Sequence, residues 1–173
     1  GNYRHGFPNC AISIAVEVDG AVAMAGVYNP LREERYLAET GQGATRNGKP
    51  IHVSPVPRLD ESLIVAGFPY DRHERMDHYV GLFKNFMHRC HGVLRMGSAA
   101  MDLCYVASGQ LEAYYEESLQ PWDWAAGKFI VEQAGGLVTD YHNEDKVLER
   151  RQLLATNGLI HQEMLAVLTP AVT

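Results

Sequence analysis

The sequence has few of the features that mark several common protein classes. Its cysteines, Cys10, Cys90 and Cys104, are odd in number and widely spaced, and no CxxC pair occurs, so neither a zinc site nor a disulfide framework is indicated. We expect reduced, mostly buried thiols. No apolar run reaches the roughly 18 residues of a membrane span, and no signal peptide is recognisable. We therefore expect a cytoplasmic protein that does not bind membranes.

Positive charge is also scarce, because 15 Lys and Arg stand against 21 Asp and Glu in 173 residues, a formal net charge of −6. Direct binding to nucleic acid or to a membrane surface needs a basic face, and we expect neither. A phosphorylated small molecule is not excluded, since a bound cation would supply the positive charge. The sequence contains no HExxH, GxSxG or Walker motif, so the signatures of three large enzyme classes are missing.

The first third of the chain has the pattern of an antiparallel meander. The run AISIAVEV at 11–18 is apolar and β-branched, and the Asp-Gly pair at 19–20 is a hairpin turn signal before a second apolar run. A second such signal is the Asn-Gly pair at 47–48. We expect residues 1–60 to form an antiparallel sheet portion.

The remaining residues, 61–173, alternate between strand-like and helix-like patterns, which predicts an α/β portion packed in layers with the first. SLIVAG at 62–67 suits a buried strand. One helix is predicted by apolar residues at spacings of three and four, namely Met76, Tyr79, Val80, Phe83 and Phe86. The polar stretch 142–151 is interpreted as a surface loop.

Two carboxylates stand where a strand passes into a helix. LEAYYEE at 111–117 ends in Glu116 and Glu117, and Pro121 opens a helix that places Asp123 in its first turn. Such a junction lies at one edge of a sheet, where α/β folds bind ligands, and its carboxylates suit Mg²⁺ or a polyhydroxy substrate. The plainer alternative is that Asp123 only supports the helix start and that one glutamate lies in a solvated loop.

A second candidate is the segment Gly97, Ser98 and Ala99, which ends a connection and opens a helix. Free N–H groups at such a start attract anions or hydroxyls, although the residues alone favour a simple N-cap role for Ser98. The small residues at 125–127 would let a backbone or a ligand approach closely. His73 and His78, in a charged stretch, are interpreted as solvated.

Together these segments resemble the inositol monophosphatase family. The resemblance is carried, in order, by NYRHGFPNCAISIAV at 2–16, GQGATRNGKPIHVS at 41–54, GSAAMDLCYVASG at 97–109, AYYE at 113–116 and WDWAAGKFIVEQAGG at 122–136. It covers nearly the whole chain, and AYYE followed by WDxAAG and AGG is a specific combination.

The resemblance implies a layered α/β (α+β) fold, the αβαβα sandwich, with its N-terminal part missing from this sequence. It implies a Mg²⁺-dependent, lithium-sensitive hydrolase of inositol monophosphate or a similar sugar or polyol phosphate, usually a homodimer. By position, Asp123 resembles the metal-binding aspartate that also contacts the substrate. Glu116 resembles the residue that holds substrate hydroxyls, and 97–99 resembles the helix start that lines the ring.

One part of the family pattern is not in the sequence. The water-activating glutamate and the Asp-Pro-x-Asp-Gly-Thr metal motif are expected upstream of Gly1, so the catalytic residues are expected there too. Asp123 alone supplies one carboxylate, which binds Mg²⁺ weakly. We favour a piece of a normal enzyme over a short inactive protein, and we expect these residues alone to expose apolar surface that further helices would cover.

Several alternatives stay open at this point. The superfamily also contains fructose-1,6-bisphosphatase, histidinol phosphatase and adenosine bisphosphate phosphatase, and the ring-binding residues are too few to choose among them. A different class is a non-catalytic regulatory module, since some relatives act through protein partners in transcription. A dimerising scaffold is the third possibility.

Overall fold

The computed structural model describes residues 1–171, which form two five-stranded sheets with helices packed against them. The first sheet contains β1 Ile12–Val18, β2 Ala21–Asn29, β3 Glu34–Glu39, β4 Gly43–Arg46 and β5 Lys49–Ile51. The second contains β6 Leu63–Ala66, β7 Gly92–Leu94, β8 Ala113–Glu117, β9 Leu137–Thr139 and β10 Gln152–Thr156. The helices are α1 Met76–Met87, α2 Ala99–Ala107, α3 Pro121–Gln133, α4 Val147–Arg150 and α5 His161–Leu168.

The first sheet is the predicted antiparallel meander, with its strands in chain order. Its β1–β2 turn uses Asp19 at φ 53° and Gly20 at φ 82°, and its β4–β5 turn uses Asn47 at φ 50° and Gly48 at φ 79°. Tight hairpins need positive φ at both central residues. The two turn signals in the sequence are therefore confirmed.

The second sheet has the strand order β7-β6-β8-β10-β9, in which β6 runs parallel to both β7 and β8. The carboxyl ends of these three strands consequently lie along one edge of the sheet. Helix α2 follows β7 and helix α3 follows β8, so both helices begin near that edge. We call it the carboxyl edge.

The side chains of the second sheet alternate between two cores. Val65 and Tyr114 pack with α2, α3 and the inner face of the first sheet, whereas Ala66 and Tyr115 pack with α1 and α5. A strand buried on both faces sends successive residues to opposite sides. The layers are thus the first sheet, α2 with α3, the second sheet, and α1 with α5.

This arrangement confirms a layered α/β fold and gives four layers, βαβα, within residues 1–171. The αβαβα sandwich implied by the family resemblance has one more helical layer, which is not among the described residues. The strands of the two sheets lie within 12–51 and 63–156. Helices α2 and α3 pack against both sheets, so the two portions share one core. The division into portions 1–60 and 61–173 therefore stays a prediction.

The outer face of the first sheet is apolar and exposed. Cross-strand register places Ile12 opposite Tyr28 and Val16 opposite Met24, and side chains opposite each other share a face. With Ile14 and Leu37, these six residues are between 38% and 59% exposed. We call them the apolar outer face; they agree with the expectation that the chain alone exposes apolar surface.

Two local predictions were wrong in detail. The buried face of α1 is formed by Tyr79, Leu82 and Phe86, whereas Met76 and Val80 are exposed. The face of α1 toward the sheet therefore contains residues 79, 82 and 86. The predicted set omitted Leu82 and included two exposed residues.

The stretch 142–151 is not entirely a surface loop. It contains the one-turn helix α4, and Val147 is buried in the core that α2 and α3 share with the two sheets. Of the three free thiols, Cys104 is buried, and Cys10 and Cys90 are half-buried. Within the described chain no helix has both the length and the apolar character needed to cross a bilayer.

Candidate functional site

Residues from three separate strands meet at the carboxyl edge of the second sheet. Gly67 follows β6, the segment 97–99 follows β7, and Glu116 lies near the end of β8. The Gly67 N–H donates to the Tyr115 carbonyl at 2.9 Å, which holds the first and third of these together. The sequence predicted one edge for Glu116 and Asp123 only. The topology also brings 67 and 97–99 to it, because parallel neighbours end side by side.

Glu116 points into the layer that contains α2 and α3. Its Oε2 accepts a hydrogen bond from the hydroxyl of Tyr114, two residues earlier on the same face of β8. Burial raises the pKa of Glu116, and the negative charge of Asp123 raises it further, while Tyr114 and the positive charge of Arg95 lower it. Glu116 and Asp123 are therefore electrostatic neighbours, as expected for two carboxylates of one site.

Gly67 provides the space that Glu116 occupies. A Cβ at Gly67 would overlap the carboxyl group and Cγ of Glu116. Sequence reasoning missed this residue. A glycine directly after a buried strand, at the edge where ligands bind, is the signal that could have found it.

The segment Gly97 to Ala99 is a tight turn into α2. Gly97 has φ 78°, and a Cβ there would overlap the guanidinium of Arg95. Ser98 occupies the N-cap position with an extended backbone, but its side chain makes no capping hydrogen bond to any residue of the described chain. The interpretation of Ser98 as a simple N-cap is thus not supported by a side-chain hydrogen bond.

Asp123 lies in the first turn of α3, as predicted. Its Oδ2 accepts a hydrogen bond from the Gln120 N–H at 3.0 Å, and its own N–H donates to the Gln120 carbonyl at 2.9 Å. The helix-start role is therefore real. It does not preclude metal binding, because a carboxylate has about four acceptor positions.

Asp102 is a further carboxyl group beneath this edge. It is 1% exposed, and its Oδ1 has no hydrogen-bond partner among residues 1–171. Burial, followed by the charge of Glu116, raises the pKa of Asp102 to about 8. An acidic residue inside a helix of small and apolar residues gave no signal that set it apart in the sequence.

The structure supports neither the alternative that one of the two glutamates lies in a solvated loop nor the interpretation of His78 as solvated. Glu117 points to the opposite side of β8 from Glu116, is buried, and accepts from Arg75 at 2.9 Å. The Nε2 of His78 lies 2.7 Å from Oε1 of Glu117. Neither glutamate thus lies in a solvated loop. His78 is half-buried and contacts Glu117, whereas His73 is exposed.

Asp123 is suited to be one ligand of a divalent cation, but residues 1–171 bring no group of three or more His, Cys, Asp or Glu side chains together in a way that could hold a metal ion. A hard cation such as Mg²⁺ needs oxygen ligands in a near-octahedral set. The described residues therefore supply part of a metal site at most.

Comparison with known proteins gives one consistent result. The model of the inositol monophosphatase family matches residues 1–173. An inositol-1-monophosphatase from Synechocystis is 44% identical over 163 residues, which are 94% of this chain and 57% of that protein. The Nus factor SuhB from Pseudomonas aeruginosa is 36% identical over 171 residues, 98% of this chain and 63% of that protein.

A solved structure of an inositol monophosphatase from Anabaena has the same fold, with a TM-score of 0.93 and 40% sequence identity. The match covers 98% of this chain and 67% of that structure. The chain thus spans about three fifths of the length of the two curated relatives.

Proposed function

Because this chain belongs to the inositol monophosphatase family, we propose that it is the substrate-binding part of a Mg²⁺-dependent phosphate monoester hydrolase. The proposed substrate is inositol monophosphate or a similar sugar or polyol phosphate. The observation that carries the proposal is the convergence of Glu116, the start of α2 and Asp123 at the carboxyl edge. The family and the relative named inositol-1-monophosphatase support a phosphatase.

Each proposed role follows from the chemistry of the group. The Glu116 carboxylate accepts hydrogen bonds from ring hydroxyls, and Tyr114 and Gly67 fix its position. The start of α2 at Gly97, Ser98 and Ala99 offers N–H groups with a favourable helix dipole. Polyols differ in the directions of their hydroxyl groups. Hydrogen-bonding groups held in fixed directions can therefore distinguish one polyol from another.

Asp123 is the proposed metal ligand of this chain. Mg²⁺ in such a site neutralises phosphate charge and lowers the pKa of bound water, but one carboxylate does not hold it. The family resemblance implies that the remaining ligands lie upstream of Gly1. The Asn2 side chain lies 3.2 Å from the Gly97 carbonyl, so the N-terminal segment of this chain contacts the same edge.

The Asp123→Asn substitution tests this proposal in the complete gene product. Asparagine keeps an acceptor for the Gln120 N–H but removes the negative charge. We expect phosphate release from inositol 1-phosphate to fall at least 100-fold at saturating Mg²⁺, since charge neutralisation carries much of phosphoryl transfer. The free energy of unfolding should change by less than about 1 kcal/mol.

Asp77→Asn is the matched control, since Asp77 is exposed in the first turn of α1, and it should leave activity unchanged. Chelation of Mg²⁺ should abolish activity of the wild type, and Li⁺ should inhibit it. An enzyme that keeps full activity as Asp123→Asn would contradict the proposed metal role.

A panel of substrates separates the enzymatic alternatives. Inositol monophosphate, fructose 1,6-bisphosphate, histidinol phosphate and adenosine 3′,5′-bisphosphate differ in ring, charge and hydroxyl pattern. We expect the highest kcat/KM for inositol monophosphate or a related polyol. We also propose a homodimer and a cytoplasmic location, which sedimentation and fractionation would check.

A regulatory role is the second candidate, because several relatives, including the Pseudomonas aeruginosa protein, are named as Nus factors. The net charge of −6 favours a protein partner over direct contact with nucleic acid. A cellular function that survives Asp123→Asn would favour this role, and a function lost with it would favour catalysis.

A further inference from the structure

The side-chain amide of Asn2 joins the N-terminal segment to the turn that precedes α2. Its Nδ2 lies 2.7 Å from the Asn9 carbonyl, 2.9 Å from the Met96 carbonyl and 3.2 Å from the Gly97 carbonyl. The last two partners are 94 and 95 positions away in the sequence. One NH₂ group therefore connects two distant segments of backbone.

Asn9 strengthens the same connection from a buried position. Its Nδ2 donates to the Met96 carbonyl at 3.2 Å, and its Oδ1 accepts from the hydroxyl of Tyr105 on α2 at 3.2 Å. The N-terminal segment is also closed on itself, because the Phe7 N–H donates to the Asn2 carbonyl at 3.0 Å. Asn2 is thus held in a fixed turn while its side chain holds 96–97.

The carbonyls that Asn2 binds belong to the turn that opens α2 at the carboxyl edge. Because the peptide planes at 96–98 are rigid, fixing the Met96 and Gly97 carbonyls also fixes the directions of the N–H groups that follow. Gly97 is in the left-handed region, with φ 78°, a conformation that favours glycine. A side chain at position 2 must donate hydrogen bonds to satisfy these carbonyls. A carboxylate there has no donor, and its negative charge would be repelled by the carbonyl oxygens.

We propose that Asn2 is a positioning residue that fixes the turn 97–99 through its hydrogen bonds to the Met96 and Gly97 carbonyls. This inference rests on the proposed function, in which 97–99 contacts the substrate ring. Without these hydrogen bonds the substrate would stay bound but displaced from the reacting groups, and a displacement of about 1 Å can cost about 100-fold in rate.

The test compares Asn2→Ala, Asn2→Asp and Asn2→Gln in the complete gene product, with Asn85→Ala as the control because Asn85 is exposed on α1. Phosphate release from inositol 1-phosphate gives kcat and KM well below the unfolding temperature. Hydrogen exchange of peptides covering 95–99 reports whether the turn is held.

We expect Asn2→Ala and Asn2→Asp to lower kcat at least ten-fold with a smaller change in KM, and to speed exchange over 95–99. Asn2→Gln should recover part of kcat, because it restores the donor, and Asn85→Ala should behave as wild type. A purely structural role would lower the unfolding temperature and leave kcat of the folded enzyme unchanged.

Two results would overturn the inference while the proposed function stands: Asn2→Ala with wild-type kcat, or Asn2→Ala with wild-type exchange over 95–99. A wild-type protein that hydrolyses no ester of the panel would instead remove the proposed function, and with it the positioning role.

Discussion

At the scale of single residues, alternation along β8 decides which carboxylate can act. Glu116 faces the layer of α2 and α3, and Glu117 faces α1, where Arg75 and His78 bind it. The sequence shows two adjacent glutamates, and period-2 geometry separates them. The candidate site uses Glu116, while Glu117 ties the end of β8 to α1.

A Gly67→Ala substitution should disable Glu116 without unfolding the protein. The three atoms nearest to the new Cβ all belong to the Glu116 side chain beyond its Cβ, so that side chain can rotate away. We expect a loss of less than about 1 kcal/mol in the free energy of unfolding but a fall in kcat/KM of at least ten-fold. Phosphate release and urea unfolding of the complete gene product measure both.

A double-mutant cycle with Glu116→Ala is the control for that prediction. If Gly67→Ala acts by displacing Glu116, it should cost little further activity once the carboxylate is gone. Additive losses in the two variants would contradict the steric explanation.

At the scale of elements, the contact between α2 and α3 explains the glycine at position 127. A Cβ at Gly127 would lie 2.5 Å from Cδ1 and 2.7 Å from Cβ of Leu103 on α2. The predicted close approach is thus made by a neighbouring helix. At Gly127, therefore, the absence of a side chain allows α2 and α3 to pack closely within the middle layer.

Gly127→Ala should destabilise the fold because Leu103 Cβ is tied to its backbone and cannot move far. Overpacking of this kind costs about 1–3 kcal/mol. Gly81→Ala is the matched control, since a Cβ at Gly81 on α1 meets nothing within 4 Å, and it should stabilise by about 0.5–1 kcal/mol. Urea unfolding compares the two, and equal effects would contradict the packing account.

At the scale of the whole molecule, one large apolar surface is exposed to solvent. The apolar outer face spans three neighbouring strands of the first sheet, and contiguous apolar patches of this kind mark interaction surfaces. The opposite face of the same sheet is buried against α2 and α3. We propose that a further helical layer of the protein packs on the apolar outer face.

Residues 1–173 expressed alone should therefore bind the dye ANS and self-associate, whereas the complete gene product should do neither. Ile14→Lys should reduce dye binding and association of the isolated chain, because it places a charge between Ile12 and Val16 in the apolar row of β1. In the complete gene product, the same change should lower the free energy of unfolding by about 2 kcal/mol or more.

Leu148→Lys is the control, since Leu148 is exposed on α4, outside that face. Dye fluorescence, sedimentation and urea unfolding measure these effects. Equal dye binding by the isolated chain and the complete gene product would contradict a covering layer.

The sequence by itself determined the features that depend on neighbouring residues. The turns at 19–20 and 47–48, the start of α3 at Pro121 and the strands flanking them follow from local backbone preference, which needs no distant partner. The motifs at 97–109, 113–116 and 122–136 also indicated the family and the candidate site. They named Glu116 and Asp123 as site residues, and those roles stay predictions.

Only the tertiary structure decided the contacts between distant residues. Gly67 beside Glu116, His78 on Glu117, and Asn2 on the carbonyls of Met96 and Gly97 join positions 39 to 95 apart in the chain. No local pattern encodes such pairs, because they exist only once parallel strands have brought their carboxyl ends to one edge. The burial of Asp102 and the exposure of the apolar outer face have the same origin, since packing of layers decides which face of an element meets solvent.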